Sequence, residues 1–85
     1  MARVELDPQT SAGRHTHFGD EMAYVIEGEA ELSIEGQPTR RVRAGDSFVV
    51  PAGVKHDVRN TGTSAFKVVA VYVVEKGKPL ATPAP

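Results

Sequence analysis

The chain of 85 residues contains no cysteine and no tryptophan, and few of its residues are aromatic. The absence of cysteine excludes disulfides, thiolate zinc sites and cysteine nucleophiles. No stretch approaches the roughly 20 apolar residues of a membrane-spanning helix. A net charge of -1 gives no electrostatic reason to expect nucleic acid or an anionic membrane as a partner. The start of the chain lacks the apolar core of a signal peptide, so we expect a cytoplasmic protein, or an exported one if a natural leader was trimmed.

The sequence also lacks a sustained helical pattern. No segment repeats apolar residues at a period of 3.6 over three turns, which predicts little or no helix. Short strands separated by turn residues indicate instead an all-β sandwich or barrel. The predicted strands cover residues 3–6, 22–26, 29–35, 39–43, 47–50, 56–59 and 65–74.

Three predictions follow from the composition of individual segments. Residues 22–26 and 65–74 are apolar on both side-chain parities, which favours strands covered on both faces. Residues 39–43 are rich in arginine, which is typical of an edge strand. Residues 1–78 are expected to form one small domain, and the Pro/Ala-rich tail at 79–85 is expected to lack regular structure.

A cluster of metal-ligand types lies near the start of the chain. His15 and His17 are two residues apart, and Glu21 follows at position 21. In an uninterrupted strand these three side chains would project from one face. Neutral imidazoles and a carboxylate suit ions such as Zn, Fe, Ni, Mn or Cu. The only other histidine is His56, and these residues alone leave open whether the fold brings it to the same face.

Two spaced motifs give the chain a family resemblance. The first is His15-x-His17-x3-Glu21-x6-Gly28, and the second is Gly45-x5-Pro51-x-Gly53-x2-His56-x3-Asn60. Together they resemble the two motifs of the cupin superfamily, in its small single-domain form with one conserved barrel. The resemblance implies a double-stranded β-helix, also called a jelly-roll barrel. It further implies a divalent transition metal (Mn, Fe, Ni, Co, Cu or Zn) bound by His15, His17, Glu21 and His56.

The same resemblance leaves several functions open. The first is a metal-dependent enzyme of oxygenase, lyase or isomerase type, for example dioxygenase-like, acting on a small oxygen-rich carboxylate or enolate. No residue stands out as a dedicated general base, although Glu21 could also serve in that role. The alternative is a non-catalytic module that binds or senses a small ligand. A structural cupin with an empty site is a third reading, against which the complete ligand set argues.

The remaining polar and aromatic residues are assigned structural roles. Asp20 and Asp57 lie beside proposed ligands, but strand parity directs both away from the site, which favours solvated carboxylates. Asn60 is expected to shape a turn. Because a chain this short covers little apolar surface by itself, we expect a homodimer. Core or interface positions are expected for Tyr24, Phe48, Phe66 and Tyr72.

Overall fold

Strands make up the regular structure of the protein, as seen in a computed structural model that describes residues 2–73 and 77–85. Within these residues there is no helix, and therefore none that could cross a membrane. The strands are β1 (Ala2–Leu6), β2 (His15–Thr16), β3 (Glu21–Glu27), β4 (Glu29–Ile34), β5 (Arg40–Arg43), β6 (Ser47–Val50), β7 (His56–Arg59), β8 (Phe66–Tyr72) and β9 (Thr82–Pro83).

The strands form two antiparallel sheets. One contains four strands in the order β1-β8-β3-β6, and the other contains five in the order β5-β4-β7-β2-β9. Consecutive strands alternate between the sheets at several points, which is the double-stranded β-helix that the two motifs implied. One cluster of buried side chains from both sheets forms the core: Ala23, Val25, Ala30, Leu32, Ile34, Val42, Phe48, Val50, Phe66, Val68 and Ala70.

Side chains alternate between the core and the outer face along β3, β4 and β6. Ala23 and Val25 are buried, whereas Met22 and Tyr24 on the opposite parity are about half exposed, at 50% and 51%. The prediction that this strand is covered on both faces is therefore wrong for the single chain. The outer face of the four-stranded sheet remains apolar and exposed.

The edge prediction for the arginine-rich strand is confirmed. Among the described strands, β5 pairs with β4 alone and lies at the end of its sheet. Arg41 reaches across to the carboxylates of Glu29 and Glu31, at 3.4 and 3.8 Å. These pairs are well exposed, so they contribute little to stability. The strand predicted at residues 65–74 is observed as β8, Phe66–Tyr72, and Val74 lies outside the described residues. Val71 on its outer face is exposed, so the prediction that this strand is covered on both faces is also wrong for the single chain.

The tail corrects a sequence-based expectation. Thr82–Pro83 forms strand β9, which pairs with His15–Thr16 at the edge of the five-stranded sheet. Composition had favoured a tail without regular structure, because proline removes backbone donors. The pairing is compatible with Pro83 because the ladder bond at this point runs from the amide of Ala84 to the carbonyl of Arg14, at 2.9 Å.

Candidate metal centre

Two sheets, not one strand, bring the predicted ligands together. His15 lies on β2 directly opposite His56 on β7, in the five-stranded sheet. Glu21 begins β3 in the four-stranded sheet, and His17 lies in the connection between them. The condition of an uninterrupted strand is not met, because β2 ends at Thr16, so His15, His17 and Glu21 do not share one strand face. The side chains nevertheless converge in the space between the sheets.

Backbone hydrogen bonds hold the connection that carries His17. The carbonyl of His17 accepts a bond from the amide of Gly53, at 2.9 Å. The Asp20 carboxylate accepts from the amide of Ala52, and its carbonyl accepts from the amide of Val73, both at 2.9 Å. Asp20 is exposed, as strand parity predicts, and its two hydrogen bonds link it to Ala52 and to Val73. The connection that carries His17 is thus held by two other parts of the chain, residues 52–53 and Val73.

The other two polar predictions have different outcomes. Asn60 is fully buried and shapes its turn: its amide group donates to the carbonyls of Leu6 and Ser64, and its oxygen accepts from the amide of Gly62. Asp57 is only half-buried, and its Oδ1 is buried without a hydrogen-bond partner among the described residues. The expectation of a fully solvated Asp57 is therefore wrong.

All three imidazoles are oriented by backbone carbonyls. In each ring Nδ1 lies within hydrogen-bond distance of a carbonyl oxygen, which can only accept, so Nδ1 carries the hydrogen. Nε2 of each neutral ring is consequently the unprotonated nitrogen, the form that binds a metal. The acceptors are Gly13 for His15, Leu80 for His17 (2.7 Å) and Val54 for His56 (3.1 Å).

The free nitrogens face a common point. The ligand atoms of His15, His17 and His56 all lie within 4.8 Å of one another. Nε2 of His17 and of His56 is buried and has no hydrogen-bond partner in the described part of the chain. Burying an unpaired polar nitrogen costs free energy, and a bound cation would satisfy these atoms. The three histidines therefore fit a divalent metal by chemistry and by geometry.

Glu21 adds negative charge to the same space. Its side chain is 8% exposed, and Oε1 lies 3.2 Å from Nε2 of both His17 and His56, without hydrogen-bond geometry. Burial lowers the pKa of His56, but contact with Glu21 and the Val54 carbonyl outweighs it, and the pKa of His56 is raised. Burial lowers the pKa of His15, which favours its neutral form. The candidate metal centre therefore contains three imidazoles and one carboxylate.

Tyr72 also belongs to this site, although the sequence indicated only a core or interface role. It lies directly opposite Glu21 in the β3–β8 register, and its ring centroid is 4.8 Å from that of His17. Burial, followed by the Glu21 charge, raises the pKa of Tyr72 to about 12. The phenol therefore stays protonated at neutral pH. Tyr72 has the same side-chain parity as Phe66 and Val68 along the strand, which indicates that it points inward. Its position beside Glu21 depends on the register between β3 and β8.

A small cavity of about 70 Å³ adjoins the imidazoles. Its walls are mostly apolar, and none of the described residues that line it is lysine or arginine. An ion held by the histidines would therefore be the positive group available to a molecule in this cavity. The lining residues are Val4, Leu6, Ala12, His15, Glu21, Phe48, His56, Val58, Phe66, Val68 and Tyr72.

Comparison with known proteins agrees with this architecture. The chain is 32% identical over 75 residues to an oxalate-binding protein of Thermotoga maritima, covering 87% of this chain and 61% of the relative. It is 35% identical over 66 residues to a helix-turn-helix transcriptional regulator of Escherichia coli, covering 76% of this chain and 35% of the regulator. The chain thus spans less than two thirds of each of these relatives.

A solved structure and a family model extend the comparison. The crystal structure of the DMSP lyase from Ruegeria pomeroyi superimposes with a TM-score of 0.86 at 25% identity, over 95% of this chain and 40% of the lyase. A family model described as a cupin domain matches residues 2–72, which include strands β1 to β8 and every residue of the histidine cluster. With its two antiparallel sheets around this cluster, the chain belongs to the cupin family.

Proposed function

We propose that this cupin is a metal-dependent enzyme that acts on a small carboxylate or enolate. The observation that carries the proposal is the set of three oriented imidazoles and one carboxylate beside an apolar cavity. His15, His17, His56 and Glu21 would be the ligands. A divalent ion with one carboxylate ligand retains one net positive charge, which favours an anionic substrate oxygen. The oxalate-binding relative and the dimethylsulfoniopropionate (DMSP) lyase of Ruegeria pomeroyi support this substrate class.

The residues around the cavity have distinct tasks in this proposal. When bound, a divalent transition metal supplies Lewis acidity toward substrate oxygens or redox chemistry with dioxygen. The apolar walls exclude water and strengthen electrostatic interactions within the cavity. Tyr72 keeps its proton and can donate a hydrogen bond to a substrate oxygen. Glu21 can accept a proton from a substrate carbon or oxygen when it is not bound to the metal.

Metal analysis combined with an activity screen tests the proposal. The purified protein is analysed for bound metals, then reconstituted anaerobically with Mn²⁺, Fe²⁺, Co²⁺, Ni²⁺, Cu²⁺ or Zn²⁺. Small carboxylates such as oxalate are added with and without air, and oxygen uptake and product formation are followed. Turnover that disappears on chelation supports the enzyme. Failure to bind any of these metals would contradict it.

A non-catalytic sensing module is the second candidate. The observation that favours it is the similarity to a transcriptional regulator, of which this chain matches only 35%. The described residues contain no helix with which to bind DNA, so any sensing would be passed to another domain or partner. A thermal shift caused by a small carboxylate, without turnover under any metal or gas condition, would favour this function over catalysis.

Metal affinity should increase with pH. A proton on Nε2 competes with the metal, and the pKa of His56 is raised above its usual value of 6.5. The apparent affinity for Co²⁺ is therefore expected to rise as the pH increases through that raised pKa, and to level off above it. The metal-free fold responds in the opposite sense: the stabilising contribution of His56 is complete below 6.5 and is lost as the pH passes its raised pKa. Chelator competition at constant ionic strength measures the first effect, and an affinity independent of pH between about 6 and about 8 would contradict it.

The outer face of the four-stranded sheet is proposed as a homodimer interface. Met22, Tyr24, Val49 and Val71 form a continuous exposed apolar patch across β3, β6 and β8. None of the described residues lining this groove carries a charge, so a second copy related by a twofold axis would meet a matching apolar surface. Another protein with an apolar surface would also fit this face. The oligomeric state of the purified protein distinguishes self-association from binding to such a partner.

Light scattering after size exclusion should show a dimer at micromolar concentration. The variant Val49→Lys, at a side chain that is 58% exposed, should be monomeric because it would bury an unpaired charge. Thr39→Lys is the matched control and should remain dimeric, because Thr39 is an exposed residue directly before β5 of the five-stranded sheet. A monomeric parent protein at this concentration would overturn the proposed interface.

A further inference from the structure

The C-terminal tail runs antiparallel to the segment that carries His15 and His17. Ala84 donates its amide to the Arg14 carbonyl at 2.9 Å. Further back along the tail, Pro83 lies opposite His15 and Thr82 lies opposite Thr16. The tail is thus aligned with the proposed ligand segment in consistent register.

Two side-chain contacts continue the same alignment. The carbonyl of Leu80 accepts the Nδ1–H of His17, at 2.7 Å. Lys78 Nζ lies 5.3 Å from the ring centroid of Phe18, within the range of a cation–π contact. Contact between tail and ligand segment therefore extends from Lys78 to Ala84.

The tail contact differs from those of the other two imidazoles. His15 and His56 bond to Gly13 and Val54, each two residues away in the chain, so their acceptors are local. The acceptor of His17 is 63 residues away. The position of this acceptor is therefore set by the tail and not by the residues next to His17 in the chain. The tail also forms one wall of the outer opening beside the site, together with His15, His17 and Tyr72.

We propose that residues 78–84 are a positioning element of the metal centre, in which the Leu80 carbonyl selects the metal-binding tautomer of His17. Without that acceptor, no fixed partner would hold the hydrogen on Nδ1, and Oε1 of Glu21, 3.2 Å from Nε2, would favour the Nε2–H form, which cannot bind a metal through that nitrogen. Loss of such an outer partner typically lowers metal affinity by about 10–100-fold. The proposal rests on the proposed metal-binding function of the same site.

A chain ending at residue 79 tests the proposal by removing Leu80 and β9. Its affinity for Co²⁺, measured by chelator competition, should be about 10–100-fold lower than that of the full chain. A full-length variant, Ala84→Pro, removes only the amide that bonds to Arg14 and should fall between the two. Pro85→Ala, at the adjacent exposed residue, is the matched control and should bind as the parent does.

The tautomer of His17 gives a second, metal-free readout. Long-range proton–nitrogen NMR spectra of the metal-free full chain, recorded where the imidazoles are neutral, should show the hydrogen of His17 on Nδ1. In the shortened chain the His17 signals should move toward the Nε2–H form, while His15 and His56 should keep their hydrogen on Nδ1 because their acceptors Gly13 and Val54 remain. This comparison distinguishes a local effect of the tail from general unfolding.

The outcomes separate this proposal from the proposed function. If the full chain binds no Co²⁺, the metal function fails, whereas equal affinity in full and shortened chains overturns only the role of the tail. If the shortened chain does not fold, the Co²⁺ affinity of Ala84→Pro and the His17 tautomer in the spectrum of the full chain test the role of the tail. Parent-like affinity in Ala84→Pro together with His17 protonated on Nε2 in the full chain would overturn the proposal.

Discussion

Replacing His56 by alanine is expected to abolish tight metal binding. His56 is 2% exposed, lies opposite His15 in the β2–β7 pair, and directs an unpartnered Nε2 toward the other imidazoles. Its loss would leave two imidazoles and one carboxylate, so the affinity for Co²⁺ should fall by more than the roughly 100-fold upper range known for changes to outer partners. Chelator competition measures the affinity, and elemental analysis measures the metal retained on purification.

Lys55→Ala is the matched control for this variant. Lys55 is the adjacent residue, and its backbone carbonyl, which alanine would keep, accepts a bond from the Glu35 amide. Lys55→Ala should therefore fold and bind metal as the parent does. Thermal unfolding of both metal-free variants shows whether His56→Ala remains folded. Parent-like affinity in a folded His56→Ala protein would remove His56 from the proposed ligand set.

Gly28→Ala is expected to cause a large loss of stability, of about 2–4 kcal/mol. Gly28 has a positive φ of 82°, where an L side chain is strained by about 1–2 kcal/mol. A Cβ at this position would also overlap the Ala65 carbonyl oxygen and would lie 3.1 Å from the Phe66 Cα. Both are backbone atoms, so strands β3, β4 and β8 would have to separate, and overpacking typically costs about 1–3 kcal/mol.

Gly36→Ala isolates the packing contribution. Gly36 has nearly the same φ, 85°, but a Cβ there would meet nothing within 4 Å. This variant should lose only about 1 kcal/mol, since backbone strain is partly offset by reduced freedom of the unfolded chain. Urea unfolding of both variants gives the difference in free energy. Equal destabilisation would show that the close approach of Gly28 to Ala65 does not restrict the fold.

These two experiments address features that the sequence motifs already contained. Gly28 closes the first motif, and the structure explains the requirement for glycine by both φ and contact with another strand. His56 belongs to the second motif, and its turn is built from local residues. Such features can be predicted because they depend on nearby residues and on backbone conformation.

Other parts of the site depended on register between distant strands. Parity places His17 and Glu21 on one strand face only in an uninterrupted strand, and it could not reveal that β2 ends at Thr16. Tyr72 became a site residue only through its pairing with Glu21. The tail looked irregular by composition, yet its contact with His17 comes from pairing with β2.

The strand class, the arginine-rich edge and the residue types of the proposed metal centre are predictable from the amino-acid sequence. They follow from side-chain alternation, turn-forming residues and motif spacing, which are local properties of the chain. The pairing of His15 with His56, the position of Tyr72 beside Glu21 and the contact of Leu80 with His17 are visible only in the folded protein. These contacts depend on strand register, which is set by the side chains that fill the shared core, because shifting a strand by one residue would exchange its inner and outer faces.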